Sequence, residues 1–272
     1  MRSTLAVVIC GLVCTAQSLA AQQVWSTPEP ANNIGIQLSH ILSRDEEFGA
    51  LPSALIDLSG HFMMSRQVAF EADLPVAYLR APDDVVTSGY GSRSSSQVGN
   101  PYVGLVVSSG RATHFKIGIR PGIFSSDGQA GIFGIYADFD HFEAWDVKHT
   151  ALRGSVEFGQ IPETGEFVTG EVGVTGIFPT GGDGDEALAD YGVRVGFRGP
   201  SVTASLALTG RYRFDNGLGA FDENDVNQIS FTVEGSHGRF RPVFGARTFL
   251  DSSIRDAGFH AVLTLGAVIG SQ

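Results

Sequence analysis

The residues able to do chemistry in this chain are mostly charged, and they fall in a pattern. Ten basic residues (Lys116, Arg120, Arg153, Arg194, Arg198, Arg211, Arg213, Arg239, Arg241, Arg247) sit in stretches of alternating apolar and polar residues, off the apolar positions. Seven acidic residues (Asp57, Glu71, Asp73, Glu157, Glu171, Asp190, Glu234) do the same. Gathered around an enclosed space, such charges would form rings that select anionic or polar solutes. Paired across neighbouring strands, they would make an ion-pair ladder that fills and stiffens an interior without passing anything. The spacing leaves both open.

Nucleophilic and metal chemistry find weaker support. Ser59 and His61 share a face, but a separation of two residues along a strand does not by itself make a nucleophile–base pair. His260 falls on the inward phase, His40 and His114 lie near strand ends, and no G-x-S-x-G occurs. No catalytic residue is assigned, and a non-enzyme is expected. Asp138, Asp140, His141, Glu143, Asp146 and His149 carry metal-binding atoms but match no Ca²⁺ or Zn²⁺ ligand spacing, so a solvated polar face is expected there. No metal and no cofactor are assigned.

The elements that must position these charges are strands. From Tyr191 to Phe214 the sequence alternates in two halves joined at Arg198-Gly199-Pro200: Val202, Ala204, Leu206, Leu208, Gly210, Tyr212 and Phe214 share one face, and Arg211 and Arg213 lie on the other. A period of two means extended strand. The same alternation gives twelve candidate strands, about 34–42, 54–64, 67–79, 99–108, 113–122, 149–160, 165–178, 188–198, 201–214, 226–236, 239–250 and 257–270. Of eighteen strand charges, only Glu166 falls on an apolar face, as the second residue of its strand. A Lys or Arg facing mid-bilayer costs ~2–4 kcal/mol and a charge near the interface far less, so membrane on one side and a wet lumen on the other would produce this segregation.

A soluble sandwich would also segregate its charges, but it would need a second, dry apolar layer. Connection length separates the two. Links after the even-numbered strands are short (Gly199-Pro200, for example), whereas those after the odd-numbered strands are longer, the longest from Ile123 to Lys148. Short turns at one end and long loops at the other, with an even strand count, are the outer-membrane pattern. The expected fold is therefore all-β: an antiparallel up-and-down transmembrane β-barrel of about twelve strands, residues 34–272. Residues 1–21, with Arg2, an apolar run and Ser18-Leu19-Ala20-Ala21, are expected to be a signal peptide. Residues 22–33 follow as an N-terminal periplasmic arm. Both cysteines, Cys10 and Cys14, fall inside the expected signal peptide.

Within 123–148, Ile132, Ile135, Tyr136, Phe139 and Phe142 recur at helical spacing, which predicts a short amphipathic helix. It would act as a lid or constriction at the external mouth, or else pack on the barrel rim. The six long connections hold 19 Asp or Glu against five Lys or Arg, so the net charge of −11 resides outside the wall. That sign excludes nucleic acid as a partner and suits lipopolysaccharide bridged by divalent cations, or simple solubility.

Two stretches, AFEADLPVAYL (Ala69–Leu79) and VGNPYVGL (Val98–Leu105), together with ADFDHFEAW (Ala137–Trp145), resemble segments of small outer-membrane transporter-like barrels. That group is loosely related to the fatty-acid and aromatic-hydrocarbon transporters and to the phenol meta-pathway accessory barrels. The resemblance implies passage of small, often hydrophobic, molecules across an outer membrane. Two features depart from it: the chain ends on Gly270-Ser271-Gln272 rather than an aromatic residue, and the N-terminal arm is shorter than the hatch of the fatty-acid transporters. The expected function is an outer-membrane channel or transporter for small solutes, hydrophobic or anionic, through a narrow charged lumen. A membrane-embedded lipid-modifying hydrolase and a closed structural barrel are the alternatives.

Overall fold

A computed structural model describes residues 32–43, 54–80, 94–110, 112–124, 130, 134–135, 139–145, 148–179, 185–214, 225–236, 239–251 and 259–270. The expected signal peptide and nearly all of the N-terminal arm lie outside these residues. Among the described residues there are thirteen strands: β1 (Asn33–Ser43), β2 (Ala54–Met63), β3 (Val68–Arg80), β4 (Ser94–Val98), β5 (Tyr102–Ser109), β6 (Thr113–Arg120), β7 (His149–Gly159), β8 (Gly165–Pro179), β9 (Glu186–Arg198), β10 (Val202–Arg213), β11 (Asp225–Gly235), β12 (Phe240–Phe249) and β13 (Phe259–Gly270). Each pairs antiparallel with its neighbours. β1 pairs with both β2 and β13, and β2 with β3, so the sheet closes on itself. β4 and β5 both pair with β3 and are two pieces of one wall strand, so the wall has twelve strands. Closure is what hydrocarbon demands, because an unpaired backbone N–H or C=O there costs several kcal/mol.

The broken strand corrects the expectation of a continuous one over 99–108. Val76 pairs with Val98 and Asp73 with Tyr102, so Leu74 and Pro75 on β3 oppose Gly99, Asn100 and Pro101. One extra residue is a β-bulge. Its cause is visible in β3: Pro75 has no N–H to give the ladder, and only its carbonyl is used, accepting from the Gly99 N–H at 2.8 Å.

The two faces of the wall differ sharply. On β6, Ile117 is 66% exposed on the outside while its neighbour Lys116 is 8% exposed on the inside. Ile34, Ile36, Val172, Val174, Val193, Val195, Leu206 and Leu208 are likewise turned outward. Glu166 is on this outer face, at the short-turn end of β8. Arg239 departs from the sequence expectation: it precedes β12 in a turn and is exposed, not within a strand. Aromatic residues band both ends of the outer face. Phe62, Phe115, Phe158, Phe197 and Phe240 lie at the short-turn end, and Tyr78, Phe178, Tyr212 and Phe214 at the long-connection end. Such girdles mark the two interfaces of a membrane barrel.

Candidate functional site: the lumen and the 123–148 segment

The inward phase places Asp57, Glu71, Asp73, Lys116, Arg120, Arg153, Glu157, Glu171, Asp190, Arg194, Arg211, Arg213, Glu234, Arg241 and Arg247 inside the barrel. Many of them form a connected ladder across the wall from β6 to β10. Lys116 Nζ lies 2.9 Å from Glu157 and 3.8 Å from Glu171, and Arg153 lies 3.8 Å from Glu171 and 3.7 Å from Asp190. Asp190 then accepts from Arg211 Nε at 2.6 Å and from the Thr175 hydroxyl at 2.7 Å. Shorter links flank the ladder: His61–Glu71 at 3.3 Å, Arg213–Glu186 at 2.6 Å and Arg241–Glu234 at 3.4 Å. Arg120 grips Asp73 with both terminal nitrogens, at 3.0 and 3.2 Å. Pairing is what makes burial of these charges tolerable, since an uncompensated buried charge is strongly destabilising.

Three arginines also lie over aromatic rings. Arg120 covers Tyr102 (5.6 Å to the ring centre) and Arg194 covers Phe167 (5.3 Å), both of them wall residues. Arg211 covers Phe142 (5.4 Å), which belongs to the 123–148 segment. Gly118 is required beneath Tyr102, because a Cβ there would collide with the ring.

The lumen is asymmetric. Charged side chains enter from β2, β3 and β6 to β12, whereas β1 and β13 contribute Gly35, Gln37, Ser39, Thr264 and Gly266 to the interior. Ser39 and Thr264 share a hydrogen bond of 3.0 Å, and Gln37 Nε2 donates to Ser39 at 2.8 Å. Within the charged layer a polar cavity lined by Glu71, Tyr102, Lys116, Arg153, Ser155 and Glu171 has room for about one water molecule.

The 123–148 segment enters the barrel at the long-connection end. Its described residues are α-helical at Ala130, Gly134 and Ile135, within the span where the amphipathic helix is expected, and a short 3-10 helix, Phe139–Ala144, kinked at His141, follows. Ala130, Ala144 and Trp145 join Ile41, Leu55, Ala77, Leu79 and Val262 in one buried apolar cluster, with Ile135 packed against it. Phe142 packs against Ala151, Ile177 and Leu188 on the opposite side. Ile132 and Tyr136 lie outside the described residues, as does the side chain of Phe139. The described residues of the segment thus pack against inward-facing residues of the wall.

Polar contacts anchor it. The Asn100 N–H in the β4–β5 bulge donates to the Ala144 carbonyl at 2.6 Å, and the Asn100 side-chain oxygen accepts from the Phe124 N–H at 2.9 Å. Arg211 Nη1 donates to Glu143 Oε2 at 2.8 Å, and His141 lies 3.2 Å from Arg153. Burial by itself would raise the Glu143 pKa, but Arg211 above all, with His141 and Arg120, holds its carboxyl below the usual glutamate range. His141 (2% exposed) and Glu143 (4%) are thus buried in the lumen, correcting the expectation of a solvated polar face. Asp138 and Asp146 lie outside the described residues, as does the side chain of Asp140.

Sequence reasoning missed several of these residues. His61 turns to Glu71 rather than to Ser59, and Ser108 lies 2.8 Å from His114 Nδ1 on the adjacent strand. The His260 side chain lies outside the described residues. The docking role of Asn100 had one available signal, a proline in the middle of a strand at position 75. Trp145 had none.

Solved structures with a similar fold are membrane barrels. The COG4313 outer membrane channel from Pseudomonas putida F1 aligns over 90% of this chain and 97% of its own, with a TM-score of 0.58 at 12% identity. The fold is that of the outer-membrane β-barrels. The NanC porin aligns over 89% and 100% (TM-score 0.53, 9% identity), and the CymD monoaromatic hydrocarbon channel over 95% and 94% (TM-score 0.50, 9% identity). No protein-family model matches the chain, and neither does any curated protein in sequence. The architecture implied by the sequence resemblance is thus present, carried by a chain whose identity to these structures is low.

Proposed function

We propose that the protein is an outer-membrane channel or transporter for small solutes and that this structure is its closed state. The observation that carries this reading is that described residues of a long connection, Phe142 to Trp145, pack inside the wall against its inward side chains. The hydrogen bonds that hold this connection to the wall are outside the strand ladder. Moving it aside would open the mouth without unpairing a strand. The inner ladder supports the same reading, because several of its pairs are long, at 3.7–3.8 Å, and shared between partners. Such pairs can exchange as a solute passes. The fold likeness to proteins described as channels and a porin adds support of an architectural kind.

The exposed apolar belt would contact outer-membrane lipid, with lipopolysaccharide at the acidic loops, and no enzymatic role is proposed. A closed structural barrel is the second reading, favoured by the ion-pair ladder that runs across the interior from β6 to β10. Swelling of liposomes that hold the refolded protein separates the two. Entry of small sugars or amino acids above the rate of empty liposomes supports transport, and no difference rejects it.

A further inference from the structure

Arg211 is the best-prepared side chain in the lumen to hold a solute. It is 6% exposed and is fixed from behind by Asp190, which accepts from Nε at 2.6 Å. Asp190 is held in turn by Thr175 and flanked by Arg153. The guanidinium is thereby aimed at the plug, where Nη1 donates to a single oxygen of Glu143. Nη2 is buried and makes no hydrogen bond. A guanidinium matches a carboxylate best through two parallel bonds, so one prong of the fork is in use and the other is left over.

The apolar half of the contact follows the same pattern. Arg120 and Arg194 stack on aromatic rings of the wall, but Arg211 stacks on Phe142, supplied by the loop. Phe142 sits against Ala151, Ile177 and Leu188, three wall residues that form an apolar seat independent of the loop. An aromatic ring in that seat and a carboxylate on the fork are adjacent, because Phe142 and Glu143 are consecutive.

We propose that this is a binding site for a small aromatic monocarboxylate, and that Phe142 and Glu143 occupy it as a built-in stand-in. The solute's ring takes the Phe142 seat beneath Arg211, and its carboxylate bonds both Nη1 and Nη2. Entry of the solute and withdrawal of the plug are then one exchange. The inference rests on the transport reading for its purpose, but binding is measured separately from passage.

The test is equilibrium binding to the refolded full-length barrel in detergent, followed by calorimetry and by Trp145 fluorescence. Benzoate is compared with benzamide, its neutral isostere, and with hexanoate, which lacks the ring. Wild type is compared with Glu143→Gln, which removes the competing carboxylate, and with Arg211→Gln, each checked for folding by its heat-modifiable gel shift. The proposal expects benzoate to bind more tightly than both comparators, roughly tenfold or more tighter to Glu143→Gln than to wild type, and not to Arg211→Gln. Equal binding of benzamide, equal binding of hexanoate, or no benzoate binding even to Glu143→Gln would overturn it. Should benzoate bind as expected while liposomes fail to swell, the site stands and the transport reading falls.

Discussion

Gly99 donates its backbone N–H to the carbonyl of Pro75 at 2.8 Å, and this contact sets the bulge from which the plug hangs. The missing donor of Pro75 interrupts the ladder, the extra residue turns Asn100 into the lumen, and Asn100 meets both ends of the 123–148 segment, at Phe124 and at Ala144. A Cβ on Gly99 would come within 2.9 Å of the Pro75 ring, 3.0 Å of the Ala144 carbonyl and 3.1 Å of Trp145. Gly99→Val should therefore leave the barrel folded but expel Trp145 from its cluster. A red-shifted Trp145 emission with an unchanged heat-modifiable gel shift is the expected result.

The Glu143 carboxyl is held below its ordinary range by Arg211, so docking of the plug is linked to protons. Docking is fully supported above the undocked carboxyl value of about 4.3 and weakens as pH falls through the lower, docked value. Trp145 emission should therefore be constant near neutral pH and shift only in acid below about pH 4. Glu143→Gln should remove the acid transition.

Lys116 is buried between two carboxylates, 2.9 Å from Glu157 and 3.8 Å from Glu171. Lys116→Met leaves both without their common cation, at a cost of about 3–5 kcal/mol. Adding Glu157→Gln should restore much of the loss. Urea unfolding from lipid vesicles, following tryptophan emission, measures both.

The outer face makes a prediction of its own. Leu208 is 42% exposed in mid-strand on β10, and Leu208→Arg should cost about 2–4 kcal/mol in a bilayer. Glu166→Lys, the second residue of β8, should cost about 0–1 kcal/mol, because the interface is near. The same urea titration distinguishes them.

Selectivity should follow the inward arginines. Changing Arg211 and Arg213 together to Glu reverses two charges near the mouth, where Arg213 otherwise pairs with Glu186 at 2.6 Å. The reversal potential in a salt gradient should move toward cation preference.

The wall was legible in the sequence because hydrocarbon penalises every misplaced charge, so the alternation of Ile117 with Lys116, or of Leu208 with Arg211 three residues on, records which side each faces. The 123–148 segment was legible as apolar residues at helical spacing, from Ile132 to Phe142. Its docking depends on Asn100 reaching Ala144 and Arg211 reaching Glu143, and residues so far apart in the chain leave no shared period to read. Pro75 was the exception, a local signal in mid-strand whose consequence lay on the neighbouring strand. The choice between ring and ladder was likewise not local: Lys116, Arg153 and Asp190 become a ladder only through strand register.

Unit conductance in planar bilayers tests the central claim most directly, comparing wild type with a barrel in which residues 125–146 are replaced by a short Gly-Ser linker. A mouth filled by the loop predicts small or rare steps for wild type and larger, long-lived steps for the shortened protein. Indistinguishable conductance in the two would contradict it.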